Sequence, residues 1–446
     1  MPLLADRLRT RLAACALLPL ALTACSGVPA SAPSATGEGQ TARTAQAGPS
    51  SPGTDSTQEG RSGHGHVEGA EELEEAPTSL AVLSTAGELG LISVEDLSVT
   101  PLASAQGARS AATDRRLLVL GGAGAPPSLV DSGVWTQDHG DHQHYYRAPA
   151  TALGSLTAPA GHASGAPEAA SADEAPPTIA SSAQYTAVTW GGTMTLLDRP
   201  ALEQGRVSPV MTAEVDPGSY AAPLGAHVVA VHQGQALLLD ERGDAVGDPL
   251  PCPRPSAGIS TRAGVALGCE GGAVVASLPD PRAQTPVLEW VALPESAPQG
   301  THLVSFGARP GRPKVAALDS HGGWWSLSIR ERSWSGPRAD PAEETGPGPG
   351  SSPLVAVCAL GDTHDRVVGV DTEGRIHVWA DGAKEAVTDP LASPDLVARS
   401  GIHATADRAY LPAASGEEIL EIDPAAQAVE RTIPAPGLLA LQMVGA

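Results

Sequence analysis

Basic residues are scarce in this chain: 27 Lys and Arg stand against 50 Asp and Glu, a formal net charge of −23. That deficit argues against a nucleic-acid partner, whose phosphates need a basic surface. It leaves instead a field that attracts cations. Long apolar runs are missing after the first 24 residues, so no later segment is long enough to span a bilayer as a helix. Sustained 3.6-residue periodicity is absent outside that same opening stretch, and an α-helical fold has no support. Catalytic signatures are lacking too. There is no GxSxG elbow, no HExxH pair and no Gly-rich phosphate loop followed by Lys. The chain is therefore not expected to be an enzyme.

What the opening residues do contain is an address. Arg7, Arg9 and Arg11 precede the apolar run Leu12 to Leu22, which has signal-peptide length. It ends in Leu22-Thr23-Ala24-Cys25, a tetrapeptide that resembles the bacterial lipobox. Residues 1–24 are read as a lipoprotein signal and Cys25 as the lipid-bearing new N-terminus, held to the outer face of the cell membrane. An ordinary secretory signal cleaved near Ala24 is the alternative. Removing residues 1–24 takes away three Arg and one Asp and leaves a net charge of −25. Of the other cysteines, Cys15 leaves with the signal, and Cys358 lies in the apolar run Leu354 to Cys358 and is expected as a buried thiol. Cys252 and Cys269 close a short loop. Outside the cytoplasm such a pair is most simply a disulfide, and without CxxC spacing a shared metal is the weaker reading.

Residues 25–76 hold Ser, Thr, Gly, Pro, Gln and Glu with hardly a large apolar residue, and are expected to form a flexible tether. Its end carries His64-Gly65-His66 and then Glu68, Glu71, Glu72, Glu74 and Glu75. A second low-complexity stretch, about 158–177, reads as a loop inserted into the folded part, 77–446. There a β run, a Gly turn and a second β run recur, as in Val228 to Val231 and Gln235 to Leu239 about Gly234. The turn glycines are 87, 124, 192, 234, 272, 323, 374 and 416. All but one of the gaps lie between 37 and 51 residues, close to the ~40–50 of a propeller blade. The exception, 68, contains the low-complexity insert. The fold class is all-β, a β-propeller of seven or eight blades, and the count favours eight. A seven-bladed ring remains open if the first hairpin closes on the C-terminus.

One segment concentrates metal-ligating groups: Trp135-Thr136-Gln137-Asp138-His139-Gly140-Asp141-His142-Gln143-His144-Tyr145-Tyr146. Neutral imidazole and carboxylate are what Zn²⁺ takes in tetrahedral sites, and copper(II) and nickel(II) also accept imidazole. His142 and His144 are two apart and share a face on an extended strand. Gly140 lets the chain turn so that His139 folds back. The expected ligands are His139, His142 and His144, with Asp138 or Asp141 as a fourth ligand or as an orienting partner. His64 and His66 are auxiliary candidates, expected to speed capture rather than set final affinity. His321, His364 and His403 fall at or near turns that meet at a propeller face. His162 sits in the insert, His377 lies within a strand, and His227 and His232 flank one.

A signal, a His-bearing arm, a propeller and this Trp…Asp-His-Gly-Asp-His-x-His-Tyr-Tyr pattern resemble the extracytoplasmic zinc metallochaperones of the AztD type. The resemblance covers about residues 77–446 and rests chiefly on 135–146. It implies a Zn²⁺ carrier that serves the solute-binding protein of a zinc ABC importer, working as a monomer. The Cys252/Cys269 pair also looks like that family's. Members carry a His shortly after the first of these cysteines. Here Pro253 to Gly258 holds none, which implies a reduced or rearranged second site. A protein-interaction propeller with a structural metal is the alternative.

Overall fold

Eight four-stranded antiparallel sheets make up the body of the protein in a computed structural model that describes residues 67–122, 125–138, 142–157, 175–280, 282–336 and 352–445. They follow one another along the chain as the eight blades of a β-propeller. In blade one the C-terminal strand Leu438–Val444 pairs with Ser79–Ser84, matching Leu80 to Met443 and Val82 to Leu441. The ring thus has eight blades and is also closed by the C-terminus, so the two features weighed against each other in the sequence occur together. Among the described residues no helix is long and apolar enough to cross a membrane.

Burial explains why the middle strands were readable. In blade five all six residues of Gly264–Cys269 and all six of Gly272–Ser277 are buried, because neighbouring blades cover both faces of the sheet. Such strands become continuous apolar runs rather than alternating ones. Their turns need a left-handed residue. Gly374 takes φ +82° there, and a Cβ would stand 2.3 Å from the Ala392 carbonyl oxygen. Gly124 lies outside the described residues; at two of the seven described turns the left-handed residue lies one place before the glycine read from the repeat, at Gly271 and Gly322.

The long gap of 68 has two sources. Part of the insert, residues 158–174, lies outside the described residues. The other source is a β-hairpin, Val134–Asp138 and Gln143–Arg147, set between the third strand of blade two, Ala125–Asp131, and its fourth, Thr151–Ser155. In an antiparallel blade the turns after the first and third strands leave from the same end. The hairpin therefore emerges on the same face of the ring as the turns Asp114 to Arg116 of blade two and Arg262 to Ala263 of blade five. The expected tether also needs correction at its end. Glu71–Leu73 is a strand, paired with the hairpin through Glu71–Arg147, Glu72–Tyr146 and Leu73–Tyr145. Together they form a ninth, three-stranded sheet.

Cys252 and Cys269 are joined as a disulfide with both residues fully buried. Cys358 is buried, and burial pushes its thiol up to about 12, so it is an inert core group.

Candidate metal centre

The hairpin is built as a column of rings that starts in the core and ends in solvent. At its root Arg116 bonds the Asp131 carboxylate at 2.9 Å and reaches Glu203 at 3.3 Å. The Arg116 guanidinium lies 3.9 Å from the centroid of Trp135, a cation–π contact. Trp135 stacks on its cross-strand partner Tyr146 at 5.1 Å. Tyr146 and His144, two apart on one strand face, lie 6.2 Å apart with nearly parallel rings. His142 follows, its centroid 4.9 Å from that of His144 and its ring nearly perpendicular. Exposure rises along the column: Tyr146 is buried, His144 half-buried and His142 exposed.

The imidazole spacing suits a shared ion. Nitrogens about 2.0–2.1 Å from a tetrahedral Zn²⁺ place two ring centroids about 5 Å apart. His144 donates its Nδ1–H to Glu72 Oε1 at 2.6 Å. A carboxylate accepts only, so this bond fixes the tautomer and makes Nε2 the ring's lone-pair nitrogen. Burial, and then Glu72, push the Tyr146 hydroxyl up, which keeps it a phenol and not a phenolate ligand. Asp138 ends the first hairpin strand, where its carboxylate pairs with Arg262 and accepts from Gln143 Nε2 at 3.4 Å. Thr136 donates from Oγ1 to the Gly445 carbonyl at 2.8 Å and ties the hairpin to the C-terminal end of blade one.

His142 and His144 lie ring against ring, whereas the register pairs Asp138 with Gln143 and so places its carboxylate on the opposite face of the hairpin. His139, Gly140 and Asp141 lie outside the described residues, as do Cys25, His64, His66 and His162. Among the described residues no group of three His, Cys, Asp or Glu is placed to hold a metal ion. Two groups escaped the sequence reading. Glu72 was one acid in a run, and only its nearness to the His-bearing arm signalled it. Arg262 carried no signal at all.

The remaining histidines serve the blades. Buried His377 donates to Asp371 at 2.9 Å and stacks on Trp379. His364 stands 3.6 Å from Asp381, and His227 bonds the Gln284 carbonyl. His403 lies in a strand and donates to the Leu441 carbonyl at 3.0 Å. Burial, with Arg115 acting in the same direction, pushes His403 down to about 4. An unfolded His protonates near 6.5, so in the window from about 6.5 to about 4 the unfolded chain gains a proton that the fold refuses. Stability from this residue is complete above that window and declines as pH falls through it. Urea midpoints measured from pH 7 to 4 should show this slope, and His403→Gln should flatten it. An unaltered slope in His403→Gln would refute the assignment.

No protein-family model matches the chain, and no curated protein matches it. Among solved structures it is similar to apo AztD from Citrobacter koseri, at 15% identity and a TM-score of 0.62, over 83% of this chain and 99% of that one. A second crystal structure of Citrobacter koseri AztD gives 15% identity and 0.60, over 82% and 97%. At this identity the likeness shows the propeller fold.

Proposed function

We propose that this chain is a zinc carrier that captures Zn²⁺ outside the cytoplasm and passes it to the solute-binding protein of a zinc ABC importer. The observation that carries the reading is the His142–His144 pair, whose ring centroids lie 4.9 Å apart at the start of the second hairpin strand, with Glu72 bonded to Nδ1 of His144. This is the arrangement of a metal-ligating imidazole with its orienting carboxylate. In this reading His139 and Asp141, three residues and one residue before His142 in the sequence, supply the further ligands. The AztD-like fold and the resemblance of residues 135–146 to the AztD-type chaperones support delivery as the purpose of binding. In this reading the protein is a monomer without enzymatic activity, and the lipid on Cys25 holds it on the membrane face where the importer works.

The ligand types suit a carrier. Imidazole and carboxylate on an exposed hairpin can be replaced one at a time by a partner's ligands, whereas a closed thiolate cage exchanges slowly. Confinement of both proteins to one membrane raises their encounter frequency. Zinc-loaded protein is therefore expected to transfer metal to the solute-binding protein at a rate that rises with acceptor concentration. That rate should exceed spontaneous loss to a chelator. A rate that ignores acceptor concentration and equals dissociation would replace this reading with a propeller scaffold that holds a structural metal.

A further inference from the structure

Between blades six and seven lies a cavity of about 230 Å³. A short strand is its cause. The fourth strand of blade six is Ser333–Ser335, three residues, whereas those of the other blades have five to eight. Ser335 pairs with Ser326, so Trp324, at the start of the third strand Trp324–Ser328, has no pairing partner on that side among the described residues. Its side chain walls the cavity instead and packs on Trp379 of blade seven at 5.3 Å. Two turns of blade seven border the same space, one with Asp365 and Arg366, the other with Asp381.

Two donors at this cavity lack an acceptor. The Nε1–H of Trp324 and the Nε–H of Arg366 are buried and meet none among the described residues. Trp324 is only 6% exposed, and neither group can do anything but donate. A buried donor without an acceptor is costly, so a molecule that brings oxygens into the cavity gains by supplying one. The charges around the cavity balance. Lys314 of blade six bonds Asp365 at 2.6 Å, Arg366 bonds Asp362 through Nη1 at 2.6 Å, and Asp381 stands 3.6 Å from His364 at the rim. A bare anion would bring its charge against Asp365 and Asp381, and a bare cation would leave both donors unpaired. A molecule that carries both charges avoids each cost. We propose that the seam between blades six and seven binds a free amino acid, whose carboxylate accepts from Trp324 and Arg366 and whose ammonium group lies toward Asp381. The volume is that of about seven or eight waters at ~30 Å³ each, which suits serine or threonine in size. No residue of the hairpin takes part, so this site and the zinc-carrier reading can fail separately.

Indole ¹H–¹⁵N spectra of the protein, which has seven tryptophans, test this with L-threonine as the probe and with acetate and ethylammonium as its two halves. The Trp324 signal, assigned by its loss in Trp324→Phe, should shift and saturate as threonine is added, while tryptophans remote from the cavity hold still. Acetate and ethylammonium should each bind at least about tenfold more weakly, because each forgoes one set of charged contacts. In calorimetric titrations Trp324→Phe and Asp381→Asn should each weaken threonine binding about tenfold. The Asp381 side chain is exposed, so its replacement leaves the fold intact even where Trp324→Phe disturbs the seam. Acetate that binds as tightly as threonine would make this a carboxylate site, and ethylammonium that does so a cation site; either overturns the amino-acid assignment. If no probe moves the Trp324 signal, water alone satisfies the two donors and the proposal fails. Threonine binding that leaves the Trp324 signal in place and persists in Asp381→Asn lies elsewhere on the protein and overturns it equally.

Discussion

Replacing His142 and His144 together with Ala is expected to weaken zinc binding by at least about a hundredfold, because two of the site's ligands disappear at once. The far-UV circular dichroism spectrum should not change. His142 is exposed and His144 half-buried at the solvent end of the ring column, and the eight blades do not depend on either. His144→Ala alone should cost more affinity than His142→Ala. His144 is bonded to the Glu72 carboxylate and half-buried, and its ring continues the stack from Tyr146, whereas His142 is exposed. The controls are Ala substitutions at His364 and His321, which stand in blade turns and should leave affinity unaltered. Isothermal titration, or competition with a chelator of known affinity, reads the difference. A double variant that holds zinc as tightly as the wild type would remove the hairpin from the site and leave the carrier reading without its ligands.

How much of this was legible in the sequence depends on how local each interaction is. The two middle strands of each blade are covered on both faces and announce themselves as apolar runs about a turn, as in Val228 to Leu239. The outer strand is not covered. Ala383–Pro390, Ala-Lys-Glu-Ala-Val-Thr-Asp-Pro, is mostly exposed and reads as loop. The first strand of blade eight is only His403–Ala404, too short to carry a pattern. The nearness of His142 and His144 is what their spacing of two suggests, although His142 sits just before the strand Gln143–Arg147. Their neighbours did not follow. Glu72 stands 72 residues before His144, and Asp138 stands 124 residues before Arg262. No periodicity or spacing reports a contact between segments so far apart. His377 is the contrast: its partner Asp371 is six residues away in the same hairpin, and both were spent on packing.

The same contact revises the role of the arm and leads to the second large effect. The sequence assigns residues 25–76 to capture alone, with final affinity set within the propeller. The structure instead pairs Glu71–Leu73 with the hairpin and places the Glu72 carboxylate on His144. A carboxylate that accepts from the far side of a ligating imidazole holds the ring in place and raises its basicity, and losing such a partner typically costs about 10–100-fold in affinity. Glu72→Ala should therefore weaken zinc binding by about that factor. Glu72→Gln should fall between, since its amide oxygen can still accept the Nδ1–H but brings no negative charge. Two shortened chains separate this role from that of His64 and His66. A chain beginning at residue 67 lacks both histidines but keeps Glu72, and should lose association rate while retaining equilibrium affinity. A chain beginning at residue 77 lacks Glu72 as well, and should show the affinity loss of Glu72→Ala. Stopped-flow uptake and equilibrium competition measured on the same preparations give both quantities. Full affinity in Glu72→Ala and in the chain beginning at 77 would return the arm to capture alone and make the Glu72–His144 bond a feature of packing.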